Sequence, residues 1–202
     1  MNFLVHKDTL IEEHISGIPG DDFIKEFLPK CTESEKSQIA KEFVKFKERC
    51  LVRLLGDMRS YNYVIIPTHD FDKIIYKIRA IDFDQQSFEG NLKVYNLQFL
   101  KENFKIVEMV NRKLDNNSIN QYKLEERSFM AKRMISSPRR ASSLIECMKN
   151  DSISFDNNIQ LLKKQLIKYV GDVKFKECQN MGDILETILV FVKRNYQDVL
   201  TK

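Results

Sequence analysis

Residues 56–84 read GDMRSYNYVIIPTHDFDKIIYKIRAIDFD, and the change of hydrophobic period inside this stretch decides the fold class. YVIIP at 63–67 is a short β-branched run, and THDFDK at 68–73 is a polar turn. IIYKIRAIDF at 74–83 alternates in part, with Tyr76, Ile78 and Ala80 against Ile75, Lys77 and Arg79. A β-hairpin with an extended turn is therefore expected, ending on the acidic residue Asp82. Upstream the period is helical. Ile39, Phe43, Phe46, Cys50 and Leu54 recur at three- and four-residue intervals, the stripe of a long amphipathic helix. It is expected to start near Ser34 and to stop at Leu55-Gly56, with Gly56 as the terminator. Before it, residues 3–15 read as one short strand and a polar connection, and SGIPG at 16–20 as a turn. Asp21 or Asp22 is expected to cap a short helix over DDFIKEFL.

From Leu97 onward the pattern is helical throughout. FLKENFKIVEMVNRKL, YKLEERSFMAKRMIS, ASSLIECMKN, IQLLKKQLIKYV and MGDILETILVFVKRNYQDVL are the expected helices. Breaks fall at LDNNS, SSPRR, NDSISFDNN and GDVKFKECQNMG. The fold class is mainly α with a small β-hairpin, an α+β arrangement in a single domain over 1–202. Within it, 1–20 is an entry strand and connection, 21–96 the segment around the hairpin, and 97–202 a helical part.

Asp57 and Asn62 stand five residues apart directly after the long helix, and the hairpin returns a second carboxylate, Asp82, to the same end. Phosphoryl transfer asks little covalent help from a protein. It needs a carboxylate to orient the acceptor hydroxyl and oxygen ligands that hold Mg²⁺ against the phosphates. Magnesium keeps several of its waters, so one amide oxygen and one or two carboxylates suffice.

The pattern GD, four residues, N, hairpin, IDFD resembles the catalytic loop and metal motif of kinase-like phosphotransferases, in the version found in aminoglycoside phosphotransferases and HipA-like kinases. The resemblance implies a kinase-like C-terminal lobe. Asp57 matches the catalytic Asp, and Arg59 lies where family members often carry a basic residue near the γ-phosphate. Asn62 and Asp82 match the magnesium ligands, and Asp84 takes the place of the Gly in Asp-Phe-Gly and adds a carboxylate. TLIEEHISGIPGDDF at 9–23 is similar to the last N-lobe strand and the hinge, which implies that the backbone near Glu12, Glu13 and His14 faces the adenine. The cofactors implied are ATP and Mg²⁺, and the partners a nucleotide and an unspecified phosphate acceptor. The resemblance covers about the first half of the chain. Residues 1–15 leave no room for a Gly-rich loop or for the strand Lys with its Glu partner, so the expectation is an N-lobe lost by truncation or supplied by a partner chain, or a homo-oligomer. Leu55 stands where the family usually has His before the GD pair. A non-catalytic kinase-like scaffold is the rival reading.

Composition excludes other classes. The 33 basic and 29 acidic side chains leave a net charge of +4, too mild overall to argue for nucleic acid. No apolar run approaches the roughly 20 residues of a spanning helix, so no membrane partner is expected. Cys31, Cys50, Cys147 and Cys178 form no CxxC pair, and reduced thiols in a cytoplasm are the simplest expectation. His69, Asp70 and Asp72 read as turn residues rather than a metal cluster, and His6 and His14 as structural. SSPRRASSL at 136–144 resembles a basophilic phosphorylation site but reads as an interhelical loop.

Overall fold

The computed structural model describes residues 3–6, 9–12, 14–71 and 73–200. The chain is mainly helical with small antiparallel sheets. β1 (Phe3–His6) and β2 (Thr9–Glu12) form a two-stranded hairpin, where one strand was expected. β3 (Ile18–Pro19), β4 (Tyr63–Asp70) and β5 (Lys73–Ala80) form a second sheet in the order β3-β4-β5. Part of the expected SGIPG turn is thus a strand, with Ile18 paired to Ile65 and Pro19 to Val64. Pro19 lacks an N–H and sits on an edge strand, where proline is tolerated. It also precedes α1 (Gly20–Asp22), which has no side-chain cap, so neither Asp21 nor Asp22 plays the expected capping role. The turn continues as a π-helical segment, Phe23–Phe27, and a 3₁₀ turn, Leu28–Lys30.

α2 (Glu33–Val52) is the central element. Its N-cap is Thr32, not a serine: the hydroxyl accepts from the Glu35 N–H while the Glu35 carboxylate accepts from the Thr32 N–H. The stripe Ile39, Phe43, Phe46 and Cys50 is buried throughout. On one side it meets Tyr63, Ile65, Tyr76 and Ile78 of the sheet and Ile106, Met109 and Val110 of α3 (Phe104–Lys113). A second cluster forms at the C-terminal end of α2, where Leu51, Val52 and Leu54 meet α4 (Asn116–Ser136), α6 (Asp156–Val170) and α7 (Met181–Leu200). α5 (Pro138–Asn150) lies against α7 and buries none of its own residues.

Several helix bounds differ from expectation for local reasons. The residues expected to open a helix at Phe99 instead form 3₁₀ turns over Leu92–Tyr95, Leu97–Phe99 and Lys101–Asn103, and α3 begins only at Phe104. α4 starts earlier than expected because Asp115 caps it, accepting from the Ser118 N–H at 2.7 Å. The expected SSPRR loop shrinks to Ser137. Pro138 opens α5 at a position where its missing N–H costs nothing, which puts RRASS in a helix rather than a loop. The hairpin turn is also tighter than expected. The β4–β5 ladder runs to the pair Asp70–Lys73, which leaves only positions 71 and 72 as the connection.

Candidate functional site

The loop after α2 is built on a left-handed leucine. Leu54 has φ 49°, the Leu54 N–H donates to Leu51 O at 3.2 Å, and the Leu55 N–H donates to Cys50 O at 2.8 Å. These two bonds make a Schellman ending with Leu54 at the position glycine usually takes. Gly56, expected to be the terminator, serves a close approach instead. A Cβ there would lie 2.8 Å from the Gln85 carbonyl oxygen, which the segment after β5 brings alongside. That segment is held by the Ser87 N–H donating to Leu54 O at 2.8 Å and by an isolated bridge between Leu55 and Gln86. The loop after the long helix and the loop after the hairpin therefore run side by side.

Asp57 follows with φ 52°, and Ser87 on the facing loop has φ 56°. Left-handed backbone is costly for residues with a Cβ, of order 1–2 kcal/mol each. Three such residues, Leu54, Asp57 and Ser87, meet here, and strain gathered in one place of a fold points to a site rather than to packing.

Asn62 ties the pieces together. It closes the 3₁₀ turn Ser60–Asn62, its Nδ2 donates to Asp57 O at 2.8 Å, and its main-chain carbonyl accepts from the Ile81 N–H at 3.1 Å. With Nδ2 committed to the backbone, Oδ1 is the atom left for a ligand. The Ile81 bond draws in the next residue, Asp82. Burial raises the Asp82 carboxyl above its ordinary range, and the charges of Asp84 and then Asp57 add to the rise. The Asp84 N–H, donating to Asp82 Oδ1 at 3.2 Å, offsets part of it. A cation beside Asp82 would offset these like charges.

Arg59 sits against Asp57. Its Nε donates to Asp57 Oδ1 at 2.7 Å and its Nη1 to Glu102 Oε1 at 3.2 Å. The hydrogen bond to Asp57 and the attraction of that carboxylate raise the guanidinium pKa further above its already high ordinary value. The loop is also held from behind by a residue that no motif pointed to. Asn103 is fully buried, and its Nδ2 donates to Met58 O at 3.0 Å and Leu97 O at 3.3 Å. Its Oδ1 accepts from the Tyr63 hydroxyl at 3.0 Å. Every polar atom of that amide is used, and two of its partners flank Asp57 and Asn62. An asparagine 41 residues downstream of the loop, in a segment of helical period, carries no signal in sequence.

The other expected residues are less convergent. Asp84 is exposed beside Asp82. Among the described residues no group of three or more His, Cys, Asp or Glu side chains is placed to hold a metal, so the carboxylates alone do not make such a site. Glu12 pairs with Phe3 in the β1–β2 ladder, His14 is exposed, and Glu13 lies outside the described residues. His69 and Asp70 are exposed at the end of β4, and Asp72 lies outside the described residues. All four cysteines are free. Among the described residues no helix is long and apolar enough to cross a membrane.

No family model matches the chain, and neither a curated protein nor a solved structure does. The geometry of the two facing loops is what any functional reading has to rest on.

Proposed function

We propose that this chain carries a kinase-like lobe that transfers a phosphoryl group from ATP to a hydroxyl of a small molecule or protein. The observation that carries the reading is the bridging role of Asn62, bonded at once to the Asp57 backbone and to Ile81 beside Asp82. That arrangement matches what phosphoryl transfer requires: one carboxylate for the acceptor and oxygen donors for a cation within a single pair of loops. Asp57 orients the acceptor hydroxyl by accepting its hydrogen bond. Asn62 Oδ1 and the Asp82 carboxylate hold Mg²⁺, which supplies charge neutralisation at the phosphate oxygens. Asp82 suits this role because a bound cation offsets the burial and like-charge cost that raise its carboxyl pKa. Asp84, exposed beside Asp82, would add a further carboxylate. Arg59 faces the developing phosphate charge once it is released from Asp57. The adenine end, assigned to the backbone near Glu12, Glu13 and His14, and an N-lobe in a partner chain or a second copy complete the reading.

One observation favours a non-catalytic scaffold of the same fold. Arg59 holds the Asp57 carboxylate at 2.7 Å and is itself held by Glu102, so the group that would orient an acceptor is occupied. Isothermal titration of Mg²⁺-ATP into the protein and into Asp82→Ala decides between them. Metal-dependent binding that the substitution abolishes is the expected result. Absence of binding at millimolar nucleotide means that the lobe is inert alone and leaves an N-lobe in a partner chain, or the scaffold.

A further inference from the structure

The outer half of the β4–β5 hairpin stands away from the body of the fold. β3 pairs only with Val64 and Ile65 of β4, while the β4–β5 ladder continues out to Asp70 and Lys73. Pro67, Thr68, His69 and Asp70 are exposed, and the turn leaves Phe71 at the tip with 104% exposure. Among the described residues the next most exposed large apolar side chain, Phe155, reaches 70% and still has the Phe88 ring at 5.9 Å. Phe71 also has φ 51°, in a two-residue hairpin turn where Asn, Asp or Gly is usual. The tip thus holds an aromatic ring that adds nothing to the core and costs backbone strain. Asp70 and Asp72 flank this ring in sequence, and Lys73 follows.

The same chain carries a cleft of matching character. Residues 24–29 and α3 enclose about 540 Å³, within the range that ligand pockets occupy. Ile24, Leu28, Pro29 and Met109 form its apolar part. Its edge carries Lys36, Lys105, Arg112 and Lys113 together with Glu33 and Glu108. Glu33 is shared by Lys36 at 3.1 Å and Lys113, and Glu108 pairs with Arg112 at 3.7 Å. Four cations less two carboxylates leave an excess of two positive charges around an apolar floor.

Tip and cleft lie at one end of the molecule. The Tyr76 hydroxyl donates to Glu35 Oε1 at 2.7 Å, so the hairpin passes the first turn of α2 with its tip further out. Glu33 and Lys36, from that same end of α2, edge the cleft. With Phe71 fully exposed, the tip does not enter the cleft of its own chain.

We propose that the hairpin tip docks in this cleft on a second copy of the chain, with Phe71 against Ile24, Leu28 and Met109 and Asp70 at the edge formed by Lys105 and Arg112. Having both features at one end lets two copies exchange tips about a two-fold axis. An aromatic anchor in an apolar pocket with a charged rim is where protein interfaces concentrate their energy. The acidic pair beside the ring disfavours an anionic bilayer or a nucleic acid, since both repel it. The proposal does not rest on the phosphotransferase reading, because neither surface includes Asp57, Asn62 or Asp82.

Sedimentation velocity of the full chain over a concentration series tests it. Reversible self-association is expected, weakening as salt is added. Phe71→Gly removes the ring and suits the left-handed backbone, so each lost contact weakens association about 30-fold while the melting temperature of the monomer does not fall. Lys105→Glu with Arg112→Glu, at two exposed positions, weakens it about tenfold. Mixing the variants separates the possible geometries. The Phe71→Gly chain keeps its cleft and the Lys105→Glu, Arg112→Glu chain keeps its tip, so the mixed pair regains one contact. It is expected to associate about 30-fold more tightly than Phe71→Gly does with itself. A wild-type chain that stays monomeric at about 1 mM and low salt overturns the proposal. Unchanged association in Phe71→Gly does so as well. So does a mixed pair no tighter than Phe71→Gly with itself, which would set tip against tip rather than tip in cleft.

Discussion

Replacing Asn103 with alanine tests whether the facing loops are held as described. The side chain is fully buried and makes three hydrogen bonds, to Met58 O, Leu97 O and the Tyr63 hydroxyl. It also stands at the N-cap position of α3 without capping that helix, because the amide is turned inward. Asn103→Ala leaves the Met58 carbonyl and the Tyr63 hydroxyl without partners, whereas Leu97 O keeps the bond from the Leu100 N–H at 3.2 Å. At roughly 1–3 kcal/mol for each buried unsatisfied group, moderated by relaxation of the 3₁₀ turns, the expected loss is about 2–4 kcal/mol. Tyr63→Phe removes only the hydroxyl and should cost about 1 kcal/mol. Urea unfolding of the wild type, both single variants and the double variant gives these numbers and their coupling. Hydrogen exchange adds a local readout: the Asn62 and Ile81 amides should lose protection in Asn103→Ala by more than amides in α7 do. A loss below about 1 kcal/mol, equal to that of Tyr63→Phe, would refute the reasoning. It would mean that Asn103 anchors nothing beyond a single bond.

Two further outcomes follow from buried charge. Glu48 is 1% exposed and is held by the Arg127 Nε at 2.6 Å, so Arg127→Ala should cost about 3–5 kcal/mol in thermal unfolding, whereas replacing both with apolar residues of similar size should recover most of it. For Asp82 the folded state raises the carboxyl pKa, first by burial and then by Asp84 and Asp57. The folded protein therefore binds this proton more tightly than the unfolded chain, and stability is lost as pH rises through the folded pKa. Asp82→Asn should raise the melting temperature at neutral pH and lose that advantage below about pH 3.5, where an ordinary aspartate is itself protonated. A melting-temperature difference that does not change with pH would show that Asp82 carries no such cost. On the proposed function, Mg²⁺ should raise the wild-type melting temperature more than that of the variant.

Local pattern was enough for some of this molecule. The three- and four-residue recurrence of Ile39, Phe43, Phe46 and Cys50 announced α2, because one continuous helix must turn a single stripe to the core. The β-branched runs announced the β4–β5 hairpin, because side-chain alternation is a property of consecutive residues. The short-range spacing of Asp57 and Asn62 also showed in sequence, since both lie on one loop.

What the local pattern missed was decided by contacts between distant segments. Gly56 read as a helix stop, but its missing side chain makes room for the Gln85 carbonyl, and Leu54 takes the left-handed turn instead. Ile18 and Pro19 read as a turn and became a strand only because Val64 and Ile65 offered an edge. The segment 99–103 read as helix and is wound into 3₁₀ turns whose last residue, Asn103, bonds to Met58 and Tyr63. Whether the loop after α2 and the loop after β5 run side by side depended on how distant segments pack. A sequence pattern specifies which face of an element is apolar. It does not specify which distant backbone that face will leave room for, because that is set by tertiary packing.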